Sequence, residues 1–246
     1  MKPLVSIVTV SFNSESTIRD TIESVLNQTY KKIEYIIVDG ASKDNTLKII
    51  KEYEKDFEDK GIIYKYISEK DKGIYDAMNK GITLSTGDIV GLINSDDWYE
   101  KDGVEKIVNT MISQNLDFVY ADIKIIAPKG NFIKKSKLSN WVTSRYWNHP
   151  TTFLKRKVYT KYRYKCESIH DDLDLLLKLR KDENIKAGVL NEVIANFRFG
   201  GVSNKKSLKN MIWNIKNKNR IYRENKYSKA YYIENIVMEV AKYILG

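Results

Sequence analysis

The first hundred residues alternate short apolar runs with segments whose apolar positions recur at helical spacing. Leu4 to Val10 is a run rich in β-branched residues, as buried parallel strands are. Ser14 is placed to cap a helix with apolar positions Ile18, Ile22, Val25 and Leu26, spaced i, i+4, i+7, i+8. Tyr35 to Val38 reads as a second strand, stopped by Asp39-Gly40. Leu47, Ile50 and Phe57 mark a second helix, Ile62 to Ile67 a third strand, Ile74 to Ile82 a helix and Ile89 to Ile93 a fourth strand. Strands alternating with helices predict βαβ units and a mostly parallel sheet. In such sheets, ligands sit beyond the carboxyl ends of the strands.

The next hundred residues are less regular. Val104, Ile107, Val108 and Met111 mark a helix, and Phe118 to Ala121 a strand. Pro128-Lys129-Gly130 predicts a turn between two short strands. Leu173, Leu176, Leu177 and Arg180 follow Asp171-Asp172 as a helix with an acidic first turn. Gly200-Gly201 breaks the pattern. Beyond it, Leu208, Met211, Ile212 and Ile215 give one amphipathic helix, and Ile233, Ile236, Val237, Val240 and Ile244 another. The expected division is an α/β domain over residues 1–200 and a helical extension over 201–246.

Composition adds limits. With 246 residues, 42% hydrophobic, the chain is long enough for one substantial α/β core. The start is too short and too polar-flanked to read as a signal peptide, and no run of some 18 apolar residues reads as a membrane span. The single cysteine excludes an internal disulfide and any cysteine-based zinc site, which fits a cytosolic location. The net charge of +10 is unevenly placed. Residues 201–246 hold ten Lys/Arg and three acids, a surplus of seven, which leaves three for the first 200 residues. A basic end on a nearly balanced body suggests an anionic partner, either nucleic acid or a lipid surface.

Polar groups accumulate where the strands end. The first runs into Thr9-Val10-Ser11-Phe12-Asn13, the second ends at Asp39-Gly40-Ala41-Ser42, and the fourth at Asn94-Ser95-Asp96-Asp97-Trp98. Helix capping would account for Ser14 and for Ser42. It accounts less well for Asp96-Asp97, because adjacent carboxylates repel and favour a cation beside them. Such a pair at a strand end suits Mg²⁺ or Mn²⁺, hard cations that share their coordination with a substrate diphosphate.

These segments, in this order, resemble the family 2 glycosyltransferases, which have the GT-A fold. The stretch Val5 to Asn13 is similar to the family's opening, and Ile36 to Asp44 to its second element. Glu69-Lys70-Asp71-Lys72-Gly73-Ile74-Tyr75-Asp76-Ala77-Met78-Asn79-Lys80-Gly81-Ile82 resembles the third element of members that build bacterial surface polysaccharides. Thr86-Gly87-Asp88 through Asp97 is similar to the strand leading to the metal motif. His149-Pro150-Thr151-Thr152-Phe153 and Asp171-Asp172-Leu173-Asp174-Leu175 resemble two acceptor-side elements. The likeness spans about residues 4–180.

The resemblance implies roles. Thr9, Ser11 and Asn13 would line the nucleotide pocket of a UDP-sugar donor, and Asp39 would accept the uracil N3–H. Lys72 would meet the nucleotide or its diphosphate. Asp97 would ligate Mn²⁺ or Mg²⁺, and Asp96 would bind the donor's ribose or sugar. Asp172 would be the general base, with Asp171 as the alternative, since the family often has Glu-Asp there. His149 would contact the acceptor or a phosphate. Trp98 would stack on a sugar ring, with core packing as the alternative. The metal motif here is Ser-Asp-Asp rather than Asp-x-Asp. An acceptor hydroxyl needs a carboxylate to take its proton, and one displacement at the anomeric carbon inverts it. The acceptor would be a saccharide, lipid-linked in surface polysaccharide assembly.

Two rival readings have their own signals. A nucleic-acid-binding protein would explain the charge, but no zinc-finger, RRM or helix-turn-helix signature accompanies it. A nucleotidyltransferase would open with a glycine-rich basic loop, which Thr9 to Ser14 is not. The basic tail leaves two expectations open. It attaches to the inner face of a membrane, or its helices pack on the domain or dimerise.

Overall fold

The computed structural model describes residues 2–200 and 207–245. Gly201 and two of the tail's basic residues, Lys205 and Lys206, lie outside the described residues. The first half follows the expected alternation: β1 (Val5–Ser11), α1 (Ile18–Leu26), β2 (Ile33–Asp39), α2 (Thr46–Glu52), α3 (Glu54–Asp59), β3 (Ile63–Ser68), α4 (Ile74–Leu84) and β4 (Ile89–Asn94). The expected second helix is two short ones meeting at Tyr53. Ser14 does not cap α1 with its side chain. The cap residue is Thr17, and the Ser14 hydroxyl instead meets Ser95 Oγ at 2.8 Å.

After β4 come β5 (Trp98–Tyr99), α5 (Gly103–Ser113), β6 (Phe118–Ile126), β7 (Phe132–Lys134), β8 (Phe153–Lys155), α6 (Arg156–Lys161), α7 (Asp171–Lys181) and β9 (Ala187–Arg198). Helices α8 (Leu208–Glu224) and α9 (Ala230–Leu245) close the chain. The Pro128–Gly130 turn joins β6 to β7 as expected. The 12-residue β9 carried no clear period in the sequence, because its burial is uneven along its length.

Among the described residues the strands form one nine-stranded sheet, ordered β3-β2-β1-β4-β8-β6-β9-β5, with β7 beside β6. The βαβ half, β3 to β4, is parallel. Beyond it, β8 runs antiparallel to both β4 and β6. Strands β1 and β2 are buried along their whole length, so alternate residues feed two cores. Val5, Ile7, Tyr35 and Ile37 pack on one face with Ile18, Ile22, Phe57 and Val104. Val8, Val10, Ile36 and Val38 pack on the other with Met78, Leu173 and Leu176. Gly81 lets α4 lie against β1, since a Cβ there would sit 2.2 Å from Val8 Cγ1.

The tail shares the second core. Ile221, Tyr222 and Tyr231 are buried with the α7 leucines, each contributing about 1.5–3 kcal/mol by burial. Tyr231 stacks between Trp141 and Tyr222, with ring centroids 3.9 and 4.6 Å apart. Its hydroxyl accepts from Val142 N at 3.0 Å, while Tyr222 Oη donates to Val142 O at 2.9 Å. The two helices thereby hold the loop that leads to His149. Among the described residues, no helix is long and apolar enough to cross a membrane.

Candidate active site

The parallel register aligns the polar strand ends. Ser68 pairs with Asp39, Asp39 with Ser11, and Val10 with Asn94. Ser68, Asp39 and Ser11 thus stand in a row on the carboxyl edge of the sheet, while Asn94 lies level with Val10, one residue earlier. Thr9 is not one of them. It is fully buried, and its hydroxyl accepts from Tyr35 Oη at 3.0 Å. It backs the strand and does not line the pocket. Asn13, at φ 50°, opens the first loop. It donates from its backbone to Ser42 Oγ at 2.8 Å and accepts from Lys43 N at 2.8 Å. Asparagine tolerates this left-handed conformation better than most residues. Ala41, at φ 61°, is held in it without that advantage.

Asp39 is buried, and its carboxylate is already engaged. Oδ1 accepts from Ser11 Oγ (3.3 Å) and from Ser42 Oγ, while Oδ2 accepts from Ser42 N (3.0 Å) and Ser68 Oγ (2.6 Å). Four donors fill the acceptor capacity of one carboxylate. Asp39 therefore fastens the three strand ends together, and a contact with a base would need one of its hydroxyl donors to turn away. Another carboxylate stands nearby. A Cβ at Gly40 would lie 2.6 Å from Asp71 Oδ2 and 3.3 Å from the ring of exposed Phe12. Asp71 fills the space that a larger residue at position 40 would take, and its Oδ1 accepts from Gly73 N at 2.8 Å. Lys72, next to it, is exposed.

The acidic turn after β4 splits into two environments. Asp97 is 0% exposed, and its Oδ1 accepts from Arg198 N at 3.1 Å. Burial, then the charge of Asp96, raises its pKa well above the usual carboxylate range. Asp96 is partly exposed. Its pKa is also raised by burial, against the pull of Arg198. Arg198, from β9, clamps the turn. Its Nε donates to Asp96 O at 3.3 Å, Nη2 meets Asp20 at 2.6 Å, and its guanidinium lies 5.0 Å from the Trp98 ring centroid. That contact covers part of the ring expected to stack on sugar. Asn94 Oδ1 and Asp97 Oδ2 are buried oxygens with no hydrogen-bond partner. With Asp96 they supply oxygens of the kind that Mg²⁺ and Mn²⁺ take. Among the described residues, no group of three or more His, Cys, Asp or Glu could hold a metal ion alone. A cation here would need oxygens from a ligand as well. Of the two carboxylates, Asp96 is the more exposed.

The second acidic pair is divided the same way. Asp171 is 2% exposed and accepts from Glu167 N (2.8 Å), Ser168 N (3.0 Å) and Ser168 Oγ (3.0 Å). It fixes the turn into α7. Asp172 is partly exposed, and its Oδ1 accepts from Leu173 N at 2.7 Å. His149 Nε2 bonds to Tyr164 Oη at 2.8 Å. Burial lowers the His149 pKa while the charge of Asp172 opposes that. Lys134 reaches the same charge. Burial brings it down to about 8, Asp172 raises it and Lys218 lowers it. His170, just before the pair, meets Asn214 of α8 at 3.1 Å, with the Trp213 ring 5.9 Å away. The turn that carries Asp172 is thus walled partly by the tail.

A profile described as Glycosyl transferase family 2 matches residues 6–171. The chain belongs to that family. Among curated relatives, it is 36% identical over 134 residues to TuaG of Bacillus subtilis, named for teichuronic acid biosynthesis. That match covers 54% of this chain and 52% of TuaG, so the chain spans about half that relative's length. It is 29% identical over 246 residues to the Escherichia coli UDP-Glc:alpha-D-GlcNAc-diphosphoundecaprenol beta-1,3-glucosyltransferase WfgD, covering 96% of this chain and 92% of WfgD. The fold resembles that of S. aureus TarS in complex with UDP, at TM-score 0.71 and 16% identity, covering 97% of this chain and 71% of that one. The GT-A expectation for the fold holds.

In this family 2 chain the profile stops at Asp171, one residue before the outward-facing carboxylate. Sequence reasoning missed Ser68, Asp71, Lys134 and Arg198. Ser68 was within reach, because it ends a strand as Ser11 and Asp39 do. Arg198 carried no signal, since its contacts cross about a hundred residues or more.

Proposed function

We propose that the chain transfers a hexosyl or N-acetylhexosaminyl group from a UDP-sugar to a hydroxyl of a saccharide acceptor, in bacterial surface polysaccharide synthesis. The reading has the acceptor lipid-linked and the enzyme peripheral at the inner face of a membrane. The observation that carries it is the shared division of the two acidic pairs. In each, one carboxylate is buried and fixes the turn, while its neighbour is partly exposed. Asp172 takes the proton of the acceptor hydroxyl as that oxygen attacks the anomeric carbon. The bond to UDP breaks in the same displacement, and the configuration inverts. Asp171 holds the base in place, and His149, neutral through burial, lines the acceptor side.

On the donor side, Asp39 fastens the rim with Ser11, and Asn13 shapes the first loop. Asp71, or Asp39 if one of its hydroxyl donors turns away, would meet the uracil N3–H, with Lys72 beside it for the diphosphate. Mg²⁺ or Mn²⁺, held through Asp96 with the unmet oxygens of Asn94 and Asp97, would neutralise charge on the diphosphate. Titration calorimetry of UDP with and without Mn²⁺ tests the donor reading. UDP is expected to bind more tightly with the metal, and more tightly than GDP. Binding indifferent to metal, or a preference for GDP, would overturn it.

A further inference from the structure

Helix α9 is amphipathic the wrong way round. Its inward side carries Asn235 and Glu239, 8% and 5% exposed. Both are satisfied there. Asn235 Nδ2 donates to Asn219 Oδ1 at 2.9 Å, and Glu239 accepts from Lys218 Nζ at 2.5 Å and Asn214 Nδ2 at 2.9 Å. Its outward side carries Ile233, Val237 and Ile244 at 68%, 59% and 67% exposure, with Ile236 also exposed. These positions recur every three to four residues or at multiples of that spacing, so they form one stripe along the helix. A helix docked only for stability would turn that stripe inward.

Its partner, α8, also exposes apolar side chains. Leu208, Ile212 and Trp213 are exposed beside Lys209 and Lys216. Exposed Lys229 stands one turn before Ile233, in line with the stripe, and exposed Tyr243 lies near its far end. Apolar side chains, aromatic residues and flanking lysines are the composition of a helix that rests in a headgroup layer. We infer that the outer faces of α8 and α9 lie on an anionic lipid leaflet. This deepens the membrane reading proposed above and rests on it. The competing occupant is a second copy of the chain. A two-fold interface sets each patch against itself, which would oppose Lys209, Lys216 and Lys229 to like charges. Anionic headgroups complement them. Because Tyr222 and Tyr231 root the same helices in the domain, the surface is fixed relative to the acceptor side.

Flotation of the full chain with vesicles tests this, using phosphatidylcholine alone and phosphatidylcholine mixed with phosphatidylglycerol. Binding is expected only to the mixed vesicles and is expected to weaken as NaCl rises. Ile236→Glu with Val237→Glu should lower partitioning by about tenfold or more. Lys209→Ala, Lys216→Ala and Lys229→Ala together should lower it for mixed vesicles, and this variant serves if the Glu pair unfolds. Both variants should keep the melting temperature and slow donor hydrolysis of the wild type. The inference is overturned if the wild type ignores the mixed vesicles or binds both kinds equally. It is also overturned if sedimentation shows a dimer that the Glu pair splits while vesicle binding is unchanged. Loss of donor hydrolysis in the wild type would instead sink the enzyme reading and leave the flotation result standing.

Discussion

The donor rim and the acceptor side are built on opposite plans. At the rim, each functional group ends a strand, and parallel register sets Ser68, Asp39 and Ser11 side by side, with Asn94 level with Val10. Its central carboxylate, Asp39, is saturated by four donors from three strand ends and their loop. The acceptor side gathers Asp172 from α7, Lys134 from β7, His149 from a loop and Asn214 from α8, and it contains buried titratable groups. One region is a local pattern repeated on adjacent strands. The other exists only where distant segments meet. A carboxylate's neighbours in sequence therefore describe its role poorly in both regions. Burial sorts Asp96 from Asp97 and Asp172 from Asp171.

That sorting can be broken by mutation, and the largest effect is expected on the acceptor side. Asp172→Asn should lower transfer by about 10²–10⁴-fold with UDP affinity nearly unchanged. Asp171→Asn should act mainly on stability, by about 1–3 kcal/mol, because a buried acceptor of three hydrogen bonds is impaired. Transfer rates, calorimetry and thermal melts of the two variants separate the cases. A folded but dead Asp171→Asn beside an active Asp172→Asn would move the base by one residue.

The rim gives the next largest effect. Asp96→Asn should weaken Mn²⁺-dependent UDP binding by about tenfold or more, the scale on which metal-site groups act. Asp97→Asn should weaken that binding less, because Arg198 N already holds one of its oxygens and only Oδ2 is left for a cation. The reverse outcome, with Asp97→Asn losing the metal response, would return the ligand to Asp97 and show that the turn opens on binding.

The smallest effect sharpens the electrostatic contrast. Burial brings Lys134 down to about 8, whereas an unfolded lysine holds its proton to about 10.4. Between those values the unfolded chain binds more protons, so stability rises with pH across that window. The gain should be on the order of 1–2 kcal/mol, reduced because the side chain is partly exposed. Urea unfolding of the wild type and of Lys134→Met across pH 8–10 measures it. Equal slopes would show that Lys134 titrates as an ordinary surface lysine.

The sequence by itself determined the βαβ half, the strand-end clusters, the two acidic pairs and the helices of the tail. Each depends on spacing along the chain: period two or unbroken runs for strands, near 3.6 for helices, and polar residues where a run stops. A resemblance that extends past the matched profile also points to Asp172 as the base, with Asp171 as the alternative. Tertiary structure alone decided which member of each acidic pair faces outward, that Thr9 turns inward to Tyr35, and that Asp39 is saturated. It also decided that α9 presents its apolar stripe to solvent. The hydrophobic pattern of Ile233 to Ile244 states that one face differs from the other. Which face meets the protein depends on Lys218, Asn214 and Asn219, which offer polar partners and draw the polar side in. Spacing fixes the existence of a face, and long-range contacts fix its direction.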